Sequence, residues 1–66
     1  MNVTVNRTKI EIFEGALSRH AVLNYLVRRR LAQSWLKRGR IQDAYGHDIG
    51  LDAPLHEGQI IKFKLQ

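Results

Sequence analysis

Hydrophobic positions along the 66 residues change period twice. In the first thirteen residues they alternate. Val3 and Val5 share one side of an extended chain, Ile10 and Ile12 share one side of the next, and Thr4 and Glu11 point away. Period-two alternation on both sides of the polar segment Asn6-Arg7-Thr8 predicts a β-hairpin. Asn6 tolerates a left-handed backbone, whereas Arg7 sits where a two-residue turn prefers glycine. Phe13 leads to Glu14-Gly15, a turn that ends the second strand. From Ser18 the period becomes helical. Ala21, Val22, Tyr25 and Leu26 recur on one side, and Leu23, Val27 and Leu31 widen the stripe. Ser18 is the expected N-cap, its hydroxyl accepting from a first-turn N–H. Gly39 is the expected C-terminal cap, preceded by Lys37 and Arg38, whose charges suit the helix dipole. The pattern admits one helix from Ser18 to Arg38 or a break near Leu31 to Ser34, and favours a main helix over about Ser18 to Arg30 with a second helical segment around Trp35.

The last third is extended again. Ile41 to Tyr45 reads as a strand, Gly46-His47-Asp48 as a turn, and Asp48 to Leu51 as a short strand. Asp52-Ala53-Pro54-Leu55 is a loop and His56-Glu57-Gly58 a second turn. Gln59 to Leu65 is the strongest strand signal, with Ile61, Phe63 and Leu65 on one face and Lys62 and Lys64 on the other. Strand, strand, helix, strand, short strand, strand is an α+β order. Packing one main helix across a mixed four- to five-strand sheet buries both apolar faces, and short connections leave few other topologies. The expected fold is therefore the β-grasp, as a single domain over 1–66.

Two segments also resemble members of that superfold. Val3 to Gly15 is similar to the opening hairpin of many β-grasp proteins, in which a strand, turn, strand and Glu-Gly precede the helix. Gly50-Leu51-Asp52-Ala53-Pro54-Leu55-His56-Glu57-Gly58-Gln59-Ile60-Ile61 resembles the end of TGS domains and sulfur-carrier proteins. Together they cover 25 of 66 residues, which supports the superfold more than any one family. The functional motifs of those relatives are missing from this sequence. Ferredoxins of this fold hold their cluster through cysteines, and the chain has none. Sulfur carriers and ubiquitin end in Gly-Gly, and this chain closes Phe63-Lys64-Leu65-Gln66. Conjugation through this C-terminus is not expected, which leaves a sulfur-carrier-like protein without its Gly-Gly tail as a minor alternative.

Charge adds what periodicity cannot. The net charge of +5 conceals a segregation. No Asp or Glu lies from Gly15 to Gln42, while Arg19, Arg28, Arg29, Arg30, Lys37, Arg38 and Arg40 do, for a local +7. The remainder has four basic and six acidic residues, or −2, which restores +5. Such asymmetry points to an anionic partner, an acidic protein or RNA. Against it stands the plainer reading, a solvated face that only aids solubility. Arg28-Arg29-Arg30 span most of a helical turn and splay around it, so one must reach outward along the sheet side. Trp35 offers a stacking plane for a base, or simply packs. Leu31 to Ile41, with its Lys-Arg-Gly-Arg, is also similar to the helix-to-strand step of ribosomal-type RNA-binding domains. The candidate site for an anionic partner is thus Arg28, Arg29, Arg30, Trp35, Lys37, Arg38 and Arg40. Phe13 and Ile60 alternate out of phase with their strands' core residues and are expected on the sheet's far face, as an apolar interface or weak dimer seam.

Other chemistry finds little support. His20, His47 and His56 lack the i, i+4 spacing of a helical metal site, and a site joining His47-Asp48 to His56-Glu57 needs both turns to converge. The glycines stand alone at turns rather than forming a phosphate loop. No cofactor, small-molecule substrate or catalytic residue is expected. The longest uncharged apolar run, Ala21 to Val27, falls short of the ~20 residues of a membrane helix. Met1 to Val5 has no basic region followed by an apolar run, so a cytoplasmic protein is expected. The discriminating feature is what accompanies the arginines: exposed aromatics favour RNA, and an exposed apolar patch favours a non-catalytic protein-binding adaptor.

Overall fold

A computed structural model describes residues 1–65. Strand β1 (Asn2–Val5) turns into β2 (Thr8–Glu11), and helix α1 (Ser18–Arg28) follows. A 3₁₀ helix (Gln33–Arg38) leads into β3 (Gly39–Asp43), then β4 (Asp48–Ile49) and β5 (Ile60–Leu65). The five strands form one mixed sheet in the order β2-β1-β5-β3-β4. The central pair β1–β5 is parallel, and its neighbours on both sides are antiparallel. The architecture is α+β, with one main helix packed on one face of the sheet.

The core lies between helix and sheet. Val3, Val5, Ile10, Ile41, Ile61 and Phe63 point inward from the strands to meet Ala21, Val22, Tyr25 and Leu26 of α1. Apart from Ile41, these are the alternating and helical positions that the sequence pattern marks. Leu65, expected inside with Ile61 and Phe63, is 49% exposed at the strand end. Among the described residues no helix is long and apolar enough to cross a membrane.

The β1–β2 turn places Asn6 at φ +49° and Arg7 at φ +68°. Positive φ at both central residues is the hairpin geometry whose twist matches the flanking strands. Asn6 does more than turn. Its backbone N–H donates to the Ile61 carbonyl at 3.2 Å. Beyond that point its side-chain amide takes over, Nδ2 donating to the Phe63 carbonyl and Oδ1 accepting from the Phe63 N–H, both at 2.9 Å. The side chain thereby extends the parallel ladder past the end of β1.

The helix ends differ from expectation in instructive ways. Leu17, not Ser18, is the N-cap residue. The loop after β4 supplies the missing acceptors: Ser18 N–H donates to the Ala53 carbonyl at 2.8 Å and Arg19 N–H to Leu51 at 3.0 Å. Ser18 is fully buried, and its hydroxyl donates to the Gly50 carbonyl at 2.5 Å instead of capping its own helix. His20 Nδ1 accepts from the Leu17 N–H at 2.9 Å, half of a capping box. At the other end Arg29 is the C-cap and Arg30 adopts φ +57°. Leu31 N–H donates to Leu26 and Arg30 N–H to Val27, which completes a Schellman motif without glycine. Gly39 is not a cap either. It is extended, and opens β3 opposite Leu65. Its lack of a side chain makes room for the Phe63 ring, and a Cβ there would also stand 2.9 Å from the Lys64 carbonyl oxygen.

Candidate binding surface

The pairing register locates every charged strand residue. Thr4 pairs with Lys9 and with Ile60, Arg40 with Lys64, and Gln42 with Lys62. These residues alternate with the inward-facing core, so they share the sheet face that carries no helix. That face therefore bears Lys9, Lys62, Lys64 and Arg40, with Ile60 among them. Acidic residues on it are Glu11, opposite Asn2, and Asp48, whose Oδ1 lies 3.5 Å from Arg40 Nε. By composition the residues outside Gly15 to Gln42, which supply most of the sheet, carry a net −2. The sheet's open face is instead basic, because most carboxylates sit in turns and at strand ends.

Charge also segregates along the strands. The Asn6-Arg7 turn lies beside Phe63, and Arg38 immediately precedes Gly39, which faces Leu65. Arg28 reaches the β2 edge, where Nη1 donates to the Lys9 carbonyl at 3.2 Å. Arg28, Arg29, Arg30, Lys37, Arg38 and Arg40 are all exposed. They form a belt from β2 to β3, three strand spacings or about 14 Å across. Toward the opposite end lie Glu57, whose carboxylate accepts from the Asn2 N–H, and Asp52, paired with Arg19 at the start of α1. Asp43 closes β3 there.

The aromatic candidates separate from the belt. Trp35 is half-buried and packs against the core. Tyr45 is 86% exposed, but in the β3–β4 turn beyond Asp43. The Arg29 guanidinium stacks over Tyr25 at 6.0 Å from the ring centroid. The two apolar candidates also part company. Ile60 lies on the open face as expected, where it lines a depression together with Thr4, Asn6, Arg7 and Lys62. Phe13 does not. Strand β2 ends at Glu11, so alternation lapses before Phe13, and its ring sits 5.1 Å from the His20 ring on the helix side.

The sequence reading missed Arg7, Lys9, Lys62 and Lys64 as part of the same surface. Their signal was present in the β5 alternation, but only the β1–β5 pairing brings Arg7 beside Lys62. The turn histidines do not converge. His47 Nδ1 lies 3.6 Å from Asp43 Oδ2, and His56 N–H bonds Gln59 Oε1 at 2.9 Å. No group of three His, Asp or Glu side chains able to hold a metal occurs among the described residues. Asp43 is held below its ordinary 3.8, mainly by the His47 N–H, with the Tyr45 N–H and the His47 imidazole adding to it against partial desolvation. That arrangement fastens the turn.

Neither a protein-family model nor a curated protein matches this chain.

Proposed function

We propose that the chain is a non-catalytic β-grasp module that docks an acidic protein partner on its open sheet face and the adjoining basic belt. The β-grasp reading is supported by the order hairpin, helix, strands, and by the central parallel β1–β5 pair. One observation carries the choice of partner. Ile60, 50% exposed, lines a depression with Arg7 and Lys62, while Trp35 is half-buried against the core and Tyr45 lies at the other end of β3. An apolar anchor flanked by the cations Arg7 and Lys62 suits a protein surface with an apolar contact and carboxylates beside it. Single-stranded RNA would call for exposed rings near the cations on which bases stack.

The test combines affinity capture with nucleic-acid titration. Partners retained by the wild-type chain should be lost both by an Arg28/Arg29/Arg30→Glu variant and by Ile60→Ser. An unchanged set of captured proteins in both variants overturns the reading. RNA binding that falls steeply between low and physiological salt, and depends on the same arginines, overturns it in favour of an RNA-binding module.

A further inference from the structure

Strand β2 is an edge of the sheet. Met1 exchanges backbone hydrogen bonds with Ile12, and Thr4 and Asn6 direct their N–H groups to β5. The alternation of an antiparallel ladder then leaves Lys9 and Glu11 directing their N–H and C=O groups away from β1. Above this edge the apolar stripe of α1 continues past the core residues Ala21, Val22, Tyr25 and Leu26 to Leu23 and Val27. Leu23 and Val27 overhang β2 and, with Ile12 and Phe13, line an open groove of about 490 Å³. Val27 is 56% exposed and Phe13 59%. This groove leaves apolar surface uncovered beside the free strand edge.

Thr8-Lys9-Ile10-Glu11 fits its own image. If two copies of the strand lie antiparallel with Ile10 opposite Ile10, each Lys9 faces the partner's Glu11. These are the residues whose backbone groups point outward, so each such pair exchanges both backbone bonds. Their side chains share the open face, where opposite charges directly across two strands attract. On the helix side the same twofold axis brings Leu23 and Val27 toward the partner's, covering the groove. We propose that the chain self-associates through this edge into an isologous dimer with one continuous sheet. Any other register that opposes Lys9 to Lys9 or Glu11 to Glu11 places like charges together, so the charge pattern selects the pairing. Arg28 does not block it, because the Lys9 carbonyl has a second lone pair. The edge is four residues long and Arg28 partly covers it, which places the dimer in the weak, concentration-dependent class.

Sedimentation of the full chain from about 10 μM to about 1 mM tests the proposal. The wild type should pass from monomer to dimer. Lys9→Glu and Glu11→Lys each create two like-charge pairs by symmetry and should weaken association by about tenfold or more. The double variant Lys9→Glu/Glu11→Lys restores opposite charges and should recover it. Both residues are exposed, so circular dichroism should show all three variants folded. A chain that stays monomeric throughout overturns the proposal, as does a dimer indifferent to the single reversals or not rescued by the double one. These outcomes are independent of whether an acidic partner binds the open face.

Discussion

Arg7 and Asn6 occupy adjacent left-handed positions for opposite reasons. Asn6 is tied to Phe63 by both atoms of its amide, so its backbone conformation aims a side chain that no other residue could replace. Arg7 makes no such return for its φ of +68°. A left-handed residue with a Cβ costs about 1–2 kcal/mol, which glycine avoids at some cost in unfolded-state entropy. Arg7→Gly should therefore stabilise the protein by about 0.5–1 kcal/mol, read as a higher urea midpoint. Asn6→Ala should destabilise it by about 2–3 kcal/mol, since it leaves both Phe63 backbone groups short of a partner. A lower midpoint for Arg7→Gly, or an unchanged one for Asn6→Ala, would contradict this account of the turn. The sequence marked Asn6 as a turn residue but could not reveal its second role. That depends on Phe63, 57 residues away.

At the scale of elements, those whose period is set locally were readable. The hairpin, α1, the helical segment at Trp35 and β5 all lie near their predicted bounds. Features set by a distant partner were not. Ser18 looks like an N-cap, yet the Gly50 carbonyl claims its hydroxyl. Gly39 looks like a C-cap, yet the Phe63 ring is what needs the space. The third strand was placed two residues too far along, because Asp43 gathers the turn. Its Oδ1 accepts from both the Tyr45 and His47 N–H groups, which ends β3 before Ala44. This turn has a pH signature. A carboxyl held below its ordinary value adds stability that is fully present above that value. The contribution is lost as pH falls through the lowered folded-state value. Asp43→Asn keeps an oxygen acceptor and removes the charge, so at about pH 7 it should be less stable than wild type. The gap should close once the pH falls below the lowered folded-state value. Thermal unfolding of both proteins across that range checks it; a gap that persists into acid would show that the charge is not the source.

For the whole molecule, the net charge matters less than its placement. The run from Arg28 to Arg40 was plain in the sequence, but its joining to Arg7, Lys9, Lys62 and Lys64 follows only from strand pairing. Concentrating cations at one end carries a cost, because like charges held within a Debye length repel in the fold and separate in the unfolded chain. The belt is about 14 Å across, comparable with the ~10 Å screening length at 0.1 M salt, so the repulsion responds to ionic strength in the ordinary range. The pairs Arg19–Asp52 and Arg40–Asp48 work in the opposite sense, but they are exposed and weak. Raising sodium chloride from about 10 mM to about 150 mM should therefore raise the melting temperature. Lys37→Gln/Arg38→Gln should be at least as stable as wild type and gain less from salt, while losing affinity for the proposed acidic partner. A surface kept for solubility has no reason to oppose stability and binding in this way; a surface kept for docking does. A melting temperature that falls as salt is added would mean that attractive pairs outweigh the repulsion. The belt would then be a self-compensated surface rather than one held ready for an anionic partner.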